Sequence, residues 1–204
     1  MKTRSELFLW IHLGGIIMFP LFLTITLVGL CTGERYSYVI ELPLLVLIAI
    51  VPILLMQLYR PFNIFSVLFL SLKPETLTEN QKKILVRFQT KQQKLLSAIA
   101  AILMLISLGF LYILAPTFSN IDILFLPRNR ALGLAIAIIA FLGSNLFLQI
   151  PLSALQVLST KESELAQTQA CTSEEIARNF TTLGFWVKRI PGLTKTTLEQ
   201  NQAN

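Results

Sequence analysis

The sequence predicts an all-α membrane protein built from four transmembrane helices. The first observation is composition: 54% of the 204 residues are hydrophobic, only 14% are charged, and the mean hydropathy is +0.67. A soluble domain usually carries about 25% charged residues. The second observation is a set of four long apolar runs, and the third is an uneven distribution of basic residues around them. A bilayer is therefore the expected solvent for this single domain.

The four apolar runs are long enough to cross a membrane. A helix needs about 20 predominantly apolar residues to span the hydrocarbon core. The runs cover residues 7–30, 42–58, 95–115 and 131–155. We expect residues 1–193 to form one membrane domain, followed by a disordered segment at residues 194–204. The first run is too long for the apolar region of a signal peptide, so we expect the N-terminal segment to be retained.

The basic residues predict the orientation of the spans. Fourteen of the 17 Lys and Arg residues lie in the N-terminal segment, the central stretch at residues 60–94 and the tail. Four spans place these three regions on one side of the membrane, and the other side holds the remaining three basic residues. Because Lys and Arg near span ends are retained in the cytoplasm, we expect both termini and the central stretch to be cytoplasmic.

The central stretch carries more features than a simple connection needs. Residues 61–72 are apolar but too few to span, which predicts an interfacial or re-entrant helix. Thr78 and Gln81 have the spacing of a capping box, so a second helix is expected to begin there. We expect that helix to continue into the third span as one long rod. Loops that keep so much shape usually serve a function.

The tail has the pattern of an amphipathic helix over residues 173–189. Thr172 and Glu175 match a second capping box. The segment then carries Phe180, Phe185 and Trp186 together with basic residues, a composition typical of helices that lie on a membrane surface. We expect its aromatic face to be buried against the membrane or against the helix that follows Thr78. We likewise expect the apolar loop at residues 117–129 to lie flat at the opposite interface.

The central stretch and the tail supply the predicted partner-binding residues. These are Arg60, Phe62, Lys73, Glu75, Lys82, Lys83, Arg87 and Trp186. Their basic side chains suit an acidic protein partner or anionic lipid head groups. The same charges also follow from topology alone, so that alternative stays open.

His12 is the only histidine and lies inside the first span. An ionisable residue within the membrane prompts a functional hypothesis, and neutral imidazole is the commonest metal ligand. One interpretation is therefore an axial ligand to a tetrapyrrole such as chlorophyll or haem. The alternative is a hydrogen bond between helices or to the nearer interface, and a lone His without a second ligand favours that alternative.

Other function classes find little support. The sequence contains no phosphate loop, nucleophile elbow, HExxH motif or nucleic-acid-binding module. Apart from His12, no ionisable side chain lies in a predicted span, which argues against a pump or an ion channel. Asn145 and Gln149 in the fourth span are expected to make hydrogen bonds between helices. The small residues Gly14, Gly15, Gly29 and Gly33 are expected to allow close helix packing.

Several short motifs resemble a family of small cyanobacterial membrane proteins, the low-complexity tail membrane protein family. They are LWIHLGG at residues 9–15, RPF at 60–62, IFS at 64–66, LKPE at 72–75 with LT at 77–78 and Gln81, and RIP at 189–191. The resemblance covers roughly residues 7–193, but this chain has only a short tail without a low-complexity extension.

The resemblance implies a thylakoid protein with an auxiliary role beside photosystem complexes, most directly in their assembly. We therefore expect a non-enzymatic accessory factor that binds photosystem subunits and lipids. The alternatives are a pigment- or haem-binding protein that uses His12 and a small-molecule transporter formed by oligomers.

Overall fold

The computed structural model describes residues 6–34, 38–67, 69–118, 129–182, 184–190 and 193. Four helices are long and apolar enough to cross a membrane: α1 at Leu7–Cys31, α2 at Tyr38–Tyr59, α4 at Lys91–Phe118 and α5 at Arg130–Leu158. The short helices are α3 at Glu79–Arg87, α6 at Glu162–Gln167 and α7 at Ser173–Asn179. Three short strands are β1 at Ser66–Val67, β2 at Leu70–Leu72 and β3 at Phe185–Val187. The predicted four spans and the all-α class are confirmed.

The backbones of the first and last spans, α1 and α5, approach each other very closely at two glycines. A Cβ atom added to Gly29 of α1 would lie 2.6 Å from the Gly133 carbonyl oxygen of α5. A Cβ on Gly133 would in turn lie 2.7 Å from the Gly29 carbonyl oxygen. The two backbones approach this closely only because both positions lack side chains, as is common between membrane helices. The small residues around Gly29 therefore pack within the chain, as expected.

The second span contains a π-helical turn at Val46–Ile50, which ends two residues before Pro52. Proline has no N–H to donate and its ring crowds the preceding turn, so the regular helical bonds are interrupted here. Asn145 of α5 donates a 2.9 Å hydrogen bond from Nδ2 to the carbonyl oxygen of Ala49 in this turn. The predicted hydrogen bond between helices is confirmed for Asn145, and it satisfies a backbone group that lipid could not.

The regions outside the spans fold together at one end of the bundle. We call this unit the cap; it comprises residues 60–90 and 159–190. Its apolar centre joins Phe65, Leu85 and Phe180 to the beginning of α1 and the end of α5. Glu6, which precedes α1, accepts a 3.3 Å hydrogen bond from Gln81 Nε2. Glu6 at the start of the first span, the central stretch and residues 159–190 therefore lie at the same end of the bundle.

The predicted interfacial helix at residues 61–72 is wrong. This segment is an extended loop followed by the antiparallel pair β1 and β2. Asn63 turns the chain, because its Oδ1 accepts a 3.0 Å hydrogen bond from the Phe65 N–H and its carbonyl oxygen accepts one from the Ser66 N–H. Its own N–H donates to the Thr181 carbonyl oxygen at 2.9 Å. These bonds replace the helical pattern that composition favours.

The predicted tail helix over residues 173–189 is only partly present. The capping box at Thr172 and Glu175 forms, but helix α7 ends at Asn179. The chain then becomes extended, since the Thr181 N–H donates to the Pro61 carbonyl oxygen at 3.0 Å and β3 pairs in parallel with β2. Backbone pairing with a distant segment has overridden a local preference. Residues 194–204, predicted to be disordered, lie outside the described residues.

The predicted long rod is also wrong. Helix α3 begins at the expected capping box of Thr78 and Gln81 and ends at Arg87. A turn follows, and the Thr90 hydroxyl then accepts a 3.4 Å hydrogen bond from the Gln93 N–H in the first turn of α4. This separates α3 from the third span and lets α3 fold back onto the tail. The predicted flat loop at residues 117–129 falls mostly outside the described residues.

Candidate interaction surface

The basic face of α3 binds the tail of the same chain. Lys82 Nζ donates a 3.1 Å hydrogen bond to Ser173 Oγ at the beginning of α7. Lys83 Nζ donates to the Ala166 carbonyl oxygen at 3.3 Å, and Arg87 Nη2 lies 2.6 Å from Glu164 Oε2. Three of the predicted partner-binding residues therefore hold α6 and α7 in place.

Arg60 and Phe62 also act within the cap. Arg60 Nη2 donates to the carbonyl oxygens of Ala177 and Phe180, at 3.3 and 3.2 Å, where a cation complements the end of helix α7. Phe62 is buried in the cap and reaches the first span. Lys73 is half-buried and its N–H donates to the Val187 carbonyl oxygen at 2.9 Å, whereas Glu75 is exposed. Some of the predicted partner-binding residues therefore make contacts within the cap, and others are exposed to solvent.

His12 joins the first span to the cap. Its Nδ1 is 2.8 Å from the Phe8 carbonyl oxygen, one turn earlier in α1. The ring lies 5.7 Å from the Phe62 ring. These contacts join the first span to the cap, and a backbone hydrogen bond at Nδ1 is also compatible with a metal-ligating histidine. The tetrapyrrole hypothesis stays a prediction.

The exposed apolar part of the cap is the aromatic patch, which we define as Phe69, Leu70, Phe185 and Trp186. Phe69 and Phe185 are 70% and 76% exposed, although both lie outside the spans. Leu70 pairs with Phe185 across β2 and β3, and the Phe185 N–H donates to the Phe69 carbonyl oxygen at 2.7 Å. The expected burial holds for Phe180, but Phe185 and Trp186 are exposed within the protein.

Gly184 sets the geometry of the aromatic patch. Its φ is +88°, a conformation that side chains disfavour, and it precedes β3 directly. A Cβ atom at this position would lie 2.0 Å from the Phe69 carbonyl oxygen. The tail strand can therefore approach β2 only with glycine here. Exposed Lys188 and Arg189 follow the strand and place positive charge beside the patch.

Burial perturbs two titratable groups: Cys171 in the cap, and Glu6, which is hydrogen-bonded to the cap. Burial raises the pKa of the Glu6 carboxyl, and the hydrogen bond from Gln81 opposes this in part. Burial likewise raises the pKa of the Cys171 thiol, whose Sγ donates to the Lys82 carbonyl oxygen at 3.2 Å. Both groups are stabilised in their protonated, uncharged forms.

The opposite end of the bundle holds an ion pair that the sequence analysis missed. Glu41 of α2 is fully buried and accepts a 2.6 Å hydrogen bond from Arg130 Nε at Oε1. Its Oε2 accepts a second hydrogen bond from Arg130 Nη2, so the ion pair is bidentate. Tyr112 of α4 donates its hydroxyl to Glu41 Oε2 at 2.7 Å. The expectation that His12 is the only ionisable residue within the spans is therefore wrong. Helix α2 begins at Tyr38, four residues before the predicted span, and carries Glu41 into the interior.

No metal site is evident in the part of the chain that the structure describes. Among those residues, no group of three or more His, Cys, Asp or Glu side chains could hold a metal ion. The features that remain for recognition are the aromatic patch, its basic flank and the outer faces of the spans.

Fold and surface together define a four-span membrane protein with a folded cap at one end of the spans. The chain belongs to the low-complexity tail membrane protein-like family, whose model matches residues 5–192. The family resemblance seen in the sequence is thereby confirmed. Searches among curated proteins and among solved structures found no match.

Proposed function

We propose that this protein is a non-enzymatic accessory or assembly factor of a photosynthetic membrane complex. The setting, a thylakoid membrane with the cap on the cytoplasmic side and photosystem subunits as partners, follows from the implied role of the resembling family and from the basic-residue asymmetry. The observation that carries the binding role is the aromatic patch on the folded cap.

The patch has the composition of a protein-binding surface. Aromatic residues are enriched among the few side chains that dominate interface energies. Burying one aromatic side chain contributes about 1.5–3 kcal/mol, so Phe69 and Phe185 together supply a useful part of a binding free energy. The pairing of Leu70 with Phe185 fixes the patch before any partner arrives, which lowers the entropic cost of association.

The charged residues of α3 serve a different purpose in this proposal. Because Lys82, Lys83 and Arg87 are engaged with the tail, they position α6 and α7, which precede β3, rather than touch the partner. Lys188 and Arg189 are exposed beside the patch and suit an acidic partner surface or anionic lipid at its edge. The outer faces of the spans provide a second, lateral contact within the bilayer.

The test is co-purification from thylakoid membranes in mild detergent. The variant Phe69→Ser/Phe185→Ser should lower the yield of photosystem subunits at matched expression, while the protein itself remains in the membrane. Tyr38→Ser is the matched control, because Tyr38 is equally exposed at 70% but lies at the other end of the bundle. Unchanged yield with the patch variant would place the partner surface elsewhere. Absence of photosystem subunits from the wild-type preparation would contradict the proposed setting.

A further inference from the structure

Five uncharged polar side chains line the interior of the bundle at the end nearest the cap. They are Gln57 on α2, Gln93 and Ser97 on α4, and Gln149 and Ser153 on α5, and each is at most 2% exposed. Gln57 lies two residues before the end of α2, and Gln93 lies two residues after the start of α4. Since these spans pack together, the side chains occupy a similar depth in the membrane.

Part of this cluster forms a continuous chain of hydrogen bonds. Gln93 Nε2 donates to Ser153 Oγ, and Ser153 Oγ donates to the Gln149 carbonyl oxygen at 2.8 Å. Gln149 Nε2 donates to Asn145 Oδ1 at 2.9 Å, and Asn145 continues to the π turn of α2 at Ala49. The polar path therefore runs from the middle of α2 to the first turn of α4.

The remaining polar atoms of the cluster have no partner among the described residues. These atoms are both amide atoms of Gln57, Oε1 of Gln93, Oε1 of Gln149 and Oγ of Ser97. An unpaired polar group in the hydrocarbon region of a membrane is strongly unfavourable. Folded proteins satisfy such groups with ordered water, which makes two to four hydrogen bonds in a polar site. Five such unpaired atoms on three packed helices therefore indicate that the cluster binds a ligand that can form hydrogen bonds.

We propose that this cluster is an internal hydration site that binds a short file of water molecules between α2, α4 and α5. The unpaired atoms include acceptors, an amide donor and a hydroxyl, and none carries a formal charge. That mixture matches water, which donates and accepts, better than it matches an ion. Gln156 on α5 has a further buried, unpaired Oε1 one turn beyond Ser153 and extends the path toward the cap.

Thiol accessibility in proteoliposomes tests the proposal. Methanethiosulfonate reagents react with the thiolate, so a buried thiol is modified only where water and the small reagent can reach it. The background is the full chain with Cys171→Ala, and Cys31 is retained because its buried thiol donates to the Ala115 carbonyl oxygen. In this background Ser97→Cys should be modified at least about tenfold faster than Ala101→Cys. Ala101 is the matched control, one turn along the same helix and buried in the apolar cluster.

A second substitution distinguishes a held file of water from general loosening of the helices. Adding Gln57→Leu to Ser97→Cys replaces an orphan amide with an apolar side chain and should slow modification severalfold. Slow modification of Ser97→Cys, or a rate that Gln57→Leu leaves unchanged, would overturn the proposal. Should Ser97→Cys fail to fold, Ser153→Cys in the same cluster replaces it, with the fully buried Ala154→Cys in the apolar centre of the cap as its control. Equal modification rates of these two variants would also overturn the proposal, as would a thermal shift specific to Na⁺ or K⁺, which would indicate an ion site.

Discussion

Arg130 donates hydrogen bonds from two guanidinium nitrogens to the Glu41 carboxylate. This buried ion pair lies at the end of the bundle opposite the cap. Arg130 Nη1 also donates to the carbonyl oxygens of Leu30 and Thr32, at 2.8 and 3.2 Å, where helix α1 ends. One side chain thus ties the ends of three spans together. Each of its bonds replaces water that the interior excludes, which is the condition for a buried ion pair to be tolerated.

Removing one member of this pair should be strongly destabilising. In Glu41→Gln the Arg130 charge stays buried without its counter-charge, so we expect a loss of about 3–5 kcal/mol in the free energy of unfolding. Denaturant unfolding in detergent measures it. Glu75→Gln is the control, since Glu75 is exposed in the cap and should change little. A loss for Glu41→Gln as small as for Glu75→Gln would show that the pair is not buried as described.

A substitution at Gly184 should detach the tail strand without disturbing the spans. In Gly184→Ala the new Cβ meets the Phe69 carbonyl oxygen and the backbone is held at positive φ, so β3 can no longer pair with β2. We expect faster proteolysis near residues 180–190 and unchanged membrane insertion. Gly109→Ala is the control, because nothing lies within 4 Å of its Cβ position. Equal proteolysis of the two variants would contradict the close approach.

The orientation can be tested with introduced thiols at exposed positions. Cys31 is buried and the pKa of Cys171 is raised by burial, so the native thiols are poor reporters. In right-side-out vesicles an impermeant maleimide should label Glu34→Cys and spare Glu162→Cys, because the cap is proposed to be cytoplasmic. Both positions are exposed, which makes their labelling comparable. The reverse pattern would invert the proposed topology.

Glu6 should give the cap a defined pH dependence. Its folded pKa lies above the ordinary value of 4.5, so the folded state binds the proton more tightly than the unfolded state. This contribution to stability is fully present below the unfolded pKa and is lost as the pH rises through the folded pKa. We therefore expect Glu6→Gln, which stays neutral, to gain stability relative to the wild type as the pH rises above 4.5 toward neutrality.

Thermal unfolding in detergent across that pH range measures the difference. Glu79→Gln, at an exposed position in the first turn of α3, controls for the loss of a charge in the cap. A difference between wild type and Glu6→Gln that is the same at every pH would argue against a protonated Glu6 in the folded protein.

Features that depend on residues close together in the chain could be predicted from the sequence, whereas contacts between distant segments could not. The capping boxes at Thr78 and Thr172 were predictable because each involves residues only three apart. Glu41 was missed because the helical start at Tyr38 extends beyond the apolar run that marks the span. Lys82 and Arg87 were assigned to a partner because a sequence shows an unpaired basic face but not the tail that covers it.

The sequence by itself determined the four spans and the family, since apolar length and short motifs are local properties of the chain. The tertiary structure alone decided that the strands β1, β2 and β3 form where the composition suits helices. The physical reason is that backbone N–H and carbonyl groups bond wherever a partner is within reach. For Asn63 that partner is Thr181, more than one hundred residues away in the chain.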